Sequence, residues 1–527
     1  MRRVLGCYTL AAMNDLRNVV AAMLSAGADS AVAVLHKNSS LTYGDLRQRV
    51  SQIASGLLAR GHRKGERIGI LSENSPFQVA SYLAIIRAGL VAVPLQTELG
   101  IETLVGISRN AGMKEVFVSK RFLNRTLSWA RQAEVKVIGE TDMEEFSAEP
   151  TANFPLIEPA SDLAALMFTS GSTGSPKGVM VTHQNIACNT RDIMSYLSLT
   201  TADRAMVVLP FHYCFGVSLL HSHLMAGASV VLDNEFKLYP EATLQHMQRT
   251  GCSGLAGVPS TYQILLRKSR FRQMSFPTLR WFQQAGGKLP NAFIREVSDA
   301  FPQVRFFIMY GQTEATARLS YLPPERLGDK LGSIGRGLPS TELQVLRFDG
   351  TPVLAGSSES GEIVASGDNI TLGYWNDSGE TARFFKNGKL YTGDIARVDE
   401  DGFLFIVERE REIIKSGGNR VSAKEIEDVI AELPEVVEVA VIGAPHELLG
   451  ESIKAFVSTV PKTELTAEQI IFYCRKRLPS FKIPEEVRLV ATMPHNSAGK
   501  LLKSKLKQSL ETNGMAQNEQ RFSPVPS

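Results

Sequence analysis

Between Thr169 and Gly178 the chain reads Thr-Ser-Gly-Ser-Thr-Gly-Ser-Pro-Lys-Gly, directly after the apolar run LAALMF. Small residues let backbone N–H groups and hydroxyls close around phosphate oxygens, and a lysine adds positive charge. Thr169, Ser170, Gly171, Ser172, Thr173, Gly174 and Lys177 are therefore candidates for holding a phosphate. The run is not a Walker A loop, because Lys177 is followed by Gly178 rather than Ser or Thr. A flexible Ser/Gly connector is the competing reading, and the placement behind a buried strand argues against it. Further short motifs follow in order: Ala285-Gly-Gly287, Tyr310-Gly-Gln-Thr-Glu314, Tyr391-Thr-Gly-Asp394 and Pro494-His-Asn-Ser-Ala-Gly-Lys500. Taken singly, YGQTE reads equally well as a strand end plus turn, and YTGD as a type I turn.

Positioning residues so far apart requires more than one core. A chain of 527 residues exceeds what a single core normally holds, so at least two domains are expected. Over the first 400 residues, helical and strand-like patterns alternate as in parallel α/β layers. YGDLRQRVSQIASGLLARG and PFQVASYLAIIRAGL have helical spacing; RIGILSE, VAVPL, RAMVVLP, ASVVLD, VRFFIMY and GEIVASG read as short buried strands. The texture then changes. Segment 409–512 contains two helical patterns, SAKEIEDVIAEL and TAEQIIFYCRKRL, opened by expected capping boxes Ser422/Glu425 and Thr466/Gln469. VEVAVIGA and SIKAFVSTV lie between them as strands, making a compact α+β module. The expected division is 1–408, 409–512 and a frayed tail over 513–527.

Composition excludes several classes. Fifty-seven basic and 54 acidic residues nearly cancel, leaving +3, with no basic run to suggest a nucleic-acid surface. Five scattered cysteines form no CxxC or Cys/His cluster, so neither a disulfide framework nor a zinc site is indicated. That usage fits a reducing cytoplasm. No stretch has the uninterrupted apolar length of a membrane span, since Arg87 breaks SYLAIIRAGLVAVPL. The opening MRRVLGCYTLAAMNDL is not expected to be a signal peptide, Met13 is an alternative start, and the terminal RFSPVPS is not an SKL signal.

Taken together, the motifs and their order resemble the adenylate-forming (AMP-binding) superfamily, in its acyl-CoA synthetase branch. The likeness runs from Leu41-Thr-Tyr43 to Lys500. It implies a large N-terminal α/β domain with stacked sheets and a small mobile C-terminal α+β domain. It also implies an enzyme that uses ATP and Mg²⁺ to join a carboxylic acid to AMP, then passes the acyl group to the thiol of coenzyme A. By this resemblance, Thr169–Lys177 holds the β- and γ-phosphates, and Ala285, Gly286 and Gly287 lie along the adenine. Tyr310 packs on adenine beside Gly311, Thr313 contacts the α-phosphate, and Glu314 helps hold Mg²⁺. Asp394 and Arg409 take the ribose, Lys500 is the catalytic lysine of adenylation, and Gly417 and Gly418 line the pantetheine passage after the small domain rotates. The hinge position falls on Arg411, where relatives carry Asp or Lys, and Glu408 stands where Gly is usual.

The resemblance also bears on the acid. Relatives that activate amino acids carry Asp after the central Phe of Leu209-Pro-Phe-His-Tyr-Cys-Phe-Gly216; His212 stands there instead, which disfavours an α-amino acid. His212 or Tyr213 occupies the gate to the acyl pocket, with ordinary core packing the alternative. Acetate-specific relatives place Trp where this chain has Gly311, so a medium-chain, long-chain or aromatic acid is expected. A discrete acyl carrier protein bearing phosphopantetheine is the rival acceptor to CoA, and a stand-alone amino-acid adenylation enzyme the rival class.

Overall fold

The computed structural model describes residues 18–146, 154–169, 176–409, 413–446, 448–496 and 499–510. A six-stranded sheet runs in the order Lys136–Gly139, Glu115–Val118, Arg67–Leu71, Val91–Pro94, Leu163–Thr169, Lys177–Thr182. Its neighbours are parallel except the last pair, which is antiparallel. A nine-stranded sheet has a parallel centre from Arg305–Tyr310 to Val32–His36, with antiparallel strands at both edges. Strands such as Val91–Pro94 and Ser229–Leu232 are buried throughout, as parallel strands covered on both faces must be.

Helices Tyr43–Ala59, Pro76–Arg87 and Cys214–Met225 share one core with both sheets, including Leu46, Leu83 and Leu220 beside Ile68, Ala164, Val34 and Val207. The sheets are therefore stacked with helices between them. The first helix opens on a Thr42/Asp45 capping box, and the second on Ser75 with Pro76 in its first turn. Every residue of Cys214–Met225 is buried, so its position is set by packing all round rather than by one apolar face.

A third, five-stranded sheet contains Thr341–Leu346, Gly361–Gly367, Lys389–Val398, Phe385–Lys386 and Leu404–Arg409. Asp394 pairs in register with Arg409 at its end. The small module has its own five-stranded sheet and its own cores, one around Ile414, Ile426, Val441, Val457 and Ile470. The Thr466/Gln469 capping box is present. The Ser422/Glu425 box is not: Ser422 ends a strand and makes no side-chain cap, while Glu425 pairs with Lys482 at 2.6 Å. The module packs on the large domain through Arg267 Nε to the Val436 carbonyl (3.3 Å) and Lys288 to Asp428 (2.6 Å). No helix among the described residues is long and apolar enough to cross a membrane.

Candidate active site

The two ends of the expected phosphate run stand side by side: Thr169 ends one strand, Lys177 begins the antiparallel next, and the two residues pair. Ser170, Gly171, Ser172, Thr173 and Gly174 lie outside the described residues. Lys177 forms an ion pair with Glu380, and its ammonium stands 5.7 Å from the ring centre of Tyr374. The Tyr374 hydroxyl donates to Glu314 Oε1 at 2.7 Å. Burial and the facing Glu314 carboxylate push the Tyr374 phenol well above its ordinary range. Lys177, Glu380, Tyr374 and Glu314 thus form one continuous polar chain. Glu314 is further held through its backbone, whose carbonyl accepts from the Thr371 amide and hydroxyl, both at 3.0 Å.

Tyr310 and Asp394 come from different sheets and meet directly, the Tyr310 hydroxyl donating to Asp394 Oδ2 at 2.7 Å. Asp394 is buried, at 2% exposure, with its own amide donating to Thr392 Oγ1. Thr313 Oγ1 donates to Cys214 Sγ at 3.4 Å, which ties YGQTE to the start of the buried helix. Burial lowers the His212 imidazole to about 4, so it is neutral at physiological pH.

Gly286 has φ +86°, and a Cβ there would lie 2.7 Å from the Tyr213 hydroxyl and 3.0 Å from Val258 Cγ1. Only glycine admits Tyr213 this close. Val258 is also the neighbour of Gly499, at 3.1 Å from a Cβ built on that residue, and the Ser260 hydroxyl donates to the Gly499 carbonyl at 2.7 Å. Lys237 donates to the Asn496 carbonyl at 3.2 Å, and the Lys500 amide donates to Asn496 Oδ1 at 2.8 Å. The loop carrying Lys500 is therefore docked on the large domain beside Tyr213, Val258 and Gly286. Gly417 and Gly418 are not part of that docking. They form an exposed turn, with φ +56° and +78°, whose backbone partner is Leu449 of the small module's own hairpin.

One expectation fails on geometry. A side chain at Gly311 was expected to project into the acyl space, but an ideal Cβ there would stand 2.0 Å from the Ala317 carbonyl oxygen and 2.9 Å from Arg318 Cα. Gly311 is glycine because the 315–318 backbone folds against it, so its small size says nothing of acyl length. Arg409 is placed by its backbone alone, and Arg411 lies outside the described residues. Tyr374, Glu380, Ser260 and Gln283 were missed in the sequence. The one local signal was Tyr374 following Gly373, whose φ of +109° marks a tight turn into an aromatic.

Among the described residues no group of three or more His, Cys, Asp or Glu side chains could hold a metal by itself. Glu314 nevertheless fits a cation brought in by a polyphosphate: one carboxylate oxygen is fixed by Tyr374, and the other carries no hydrogen bond among the described residues. A Mg²⁺ ion characteristically takes one or two protein carboxylates and completes its shell with substrate phosphates and water.

The fold and this arrangement define a nucleotide-dependent ligase built from a large and a small domain. The chain belongs to the AMP-binding enzymes: the model of that family matches residues 24–375, and the AMP-binding enzyme C-terminal domain matches residues 425–500. The chain is 31% identical to a feruloyl-CoA synthase from an Amycolatopsis species, over 90% of this chain and 95% of that one. It is also 31% identical to the long-chain-fatty-acid–CoA ligase FadD13 of Mycobacterium tuberculosis, over 89% and 93%. Among solved structures it is similar to o-succinylbenzoate coenzyme A synthetase (MenE) of Bacillus subtilis in complex with ATP and magnesium ion, with a TM-score of 0.80 and 27% identity over 93% of this chain and 99% of that one.

Proposed function

We propose that this protein activates a carboxylic acid as its acyl-adenylate and transfers the acyl group to coenzyme A. The observation that carries this reading is the docking of the Lys500 loop on Ser260, beside Tyr213 and Gly286, facing a large domain that holds Thr313, Glu314 and the Tyr310–Asp394 pair. Carboxylate and ATP repel each other, so positive charge must gather before attack on the α-phosphorus. Lys177 and Lys500 supply it from opposite domains, and Glu314 would hold Mg²⁺, which neutralises the phosphate oxygens. The carboxylate oxygen attacks the α-phosphorus, pyrophosphate leaves, and acyl-AMP remains. The CoA thiolate then attacks the acyl carbon, the acyl–phosphate bond breaks, and AMP departs.

Asp394, buried with Tyr310, is assigned to the ribose hydroxyls, from which a carboxylate can accept twice. Thr169 and Lys177 bracket the residues assigned to the ATP phosphates, and Arg409, opposite Asp394, is assigned to the ribose. For the second half-reaction the small domain (409–512) turns about Arg411, withdrawing Lys500 and presenting Gly417–Gly418 to the pantetheine arm. The neutral His212 beside Tyr213 suits an uncharged stretch of acyl group rather than an ammonium. Four cysteines, Cys188, Cys214, Cys252 and Cys474, are free and buried, in keeping with a reducing cytoplasmic setting.

The test is AMP release from ATP with a panel of acids, with CoA or a holo acyl carrier protein as acceptor. CoA-dependent thioester is the expected product. Thioester on the carrier protein alone would reassign the acceptor, and AMP release with amino acids alone would reassign the class.

A further inference from the structure

Arg318 lies four residues beyond Glu314 and is 1% exposed. Among the described residues it forms no salt bridge. Its Nε donates to Met309 Sδ at 3.2 Å, its Nη2 donates to Gln283 Oε1 at 3.4 Å, and its guanidinium carbon lies 4.1 Å from the ring centre of Phe215. A thioether is a weak acceptor and an aromatic face a partial counterweight, so none of these direct partners carries a negative charge. Guanidinium does not shed its proton, and a buried charge without a counter-charge is strongly disfavoured. Asp192 and Glu314 share its neighbourhood around Tyr196 and Cys214, but neither forms a salt bridge with it; Asp192 accepts from Ser340 and Glu314 from Tyr374.

A second group in the same place is short of a partner. Gln283 is fully buried; its Oε1 accepts from Arg318 and Tyr196, and its Nε2 has no hydrogen-bond partner. Gln283 shares the strand face of Trp281, which packs on the buried helix Cys214–Met225. Among the described residues, a guanidinium with no ion-pair partner and one amide donor with no hydrogen-bond partner, Gln283 Nε2, thus meet in one buried spot. That spot is close to the chemistry: Thr313 touches Cys214, and the next residue, Phe215, carries the Arg318 guanidinium on its ring.

We propose that Arg318 and Gln283 form the floor of the acyl site and select an acid bearing a second carboxylate a few carbons from the one activated. The second carboxylate accepts from the Arg318 fork and from Gln283 Nε2, neutralising the buried charge as the substrate enters. This deepens the proposed adenylation and rests on it.

The experiment measures kcat/KM for AMP formation with CoA, using succinate, glutarate, adipate and phthalate against butyrate, hexanoate and benzoate. Wild type is expected to prefer a diacid by at least about 100-fold, because a site with buried donors rejects the analogue that leaves them unpaired. R318M should reverse the preference, losing the diacid through KM and gaining on the matching monoacid. R318K, with the charge but not the fork, should keep part of the diacid preference. Should R318M fold poorly, wild type and Q283L are compared by thermal shift with diacid and monoacid acyl-sulfamoyl adenosines; the diacid form should stabilise wild type more, and Q283L should narrow the gap. AMP formed from monoacids in preference to diacids, or an unchanged preference in a folded R318M, would overturn the selectivity and leave the adenylation reading standing. No AMP from any acid would sink both.

Discussion

The hydroxyl of Tyr374 donates to Glu314 at 2.7 Å while the face of the same ring lies 5.7 Å from the ammonium of Lys177. Tyr374 thus links the carboxylate assigned to Mg²⁺ with the lysine assigned to phosphate. Tyr374→Phe keeps the ring and removes the hydroxyl, freeing Glu314 to rotate. A hydrogen bond to a charged group contributes about 1.5–3 kcal/mol, so kcat/KM for ATP should fall roughly 10- to 100-fold. The apparent Mg²⁺ requirement should rise with it. A titration of Mg²⁺ at fixed ATP checks this; an unchanged midpoint would show that Tyr374 does not position Glu314.

Lys177 is paired with Glu380, and in the proposed reaction it exchanges that partner for phosphate when ATP binds. Glu380→Gln removes the competing charge, and the KM for ATP should fall by about threefold, in keeping with the modest worth of a partly exposed ion pair. Lys177→Met should raise it. Initial rates over an ATP series decide the matter, and a rise in KM for Glu380→Gln would mean that Glu380 orients Lys177 productively instead.

Gly311 is held as glycine by the backbone packed against it. With Ala317 O 2.0 Å from its ideal Cβ, even Gly311→Ala must displace backbone. Activity should fall on every acid together, with a loss of thermal stability, and the ranking of chain lengths should stay as in wild type. A change of ranking at unchanged Tm would restore Gly311 to the acyl pocket.

Stability should depend on pH through four buried histidines. Burial lowers His183, His212 and His223 to about 4 and His221 to about 3, from an ordinary 6.5. With folded values depressed, the unfolded chain binds more protons, so stability is lost as pH falls below 6.5 and the loss levels off only near the folded values. By pH 5 each contributes a loss of about 2 kcal/mol. His62 acts in the opposite sense, since its hydrogen bond to Glu115 raises it, but it is one group against four. Denaturant unfolding at several pH values should show the decline, and His223→Leu should lessen it by about 2 kcal/mol between pH 8 and 5. A flat profile across that range would contradict the burial of these imidazoles as neutral groups.

Local patterns carried much of this structure. The short apolar run in RIGILSE and the helical spacing in YGDLRQRVSQIASGLLARG became Arg67–Leu71 and Tyr43–Ala59, because both patterns are local. Thr466 with Gln469 capped its helix as its spacing implies. Ser422 with Glu425 has the same spacing, but strand pairing to Ile413 and the pull of Lys482 on Glu425 overrode it. The polar chain from Lys177 to Glu314 was illegible for a different reason: Glu380 is 203 positions from Lys177 and Tyr374 is 60 from Glu314, so only tertiary packing joins them. Arg318 is the sharpest case. In sequence it is an arginine in a polar turn, and nothing local reveals that its charge is buried.

In the proposed reaction Lys500, in the docked position seen here, serves adenylation and not thioester formation. The most direct measurement is a pair of single-turnover assays on Lys500→Ala, one from acid and ATP, the other from preformed acyl-AMP and CoA. Adenylation should fall by several orders of magnitude, since losing one oxyanion-type contact alone costs about 10²–10³, while acyl-AMP should still be converted to thioester at close to the wild-type rate. Equal loss of both half-reactions in a folded variant would contradict the account.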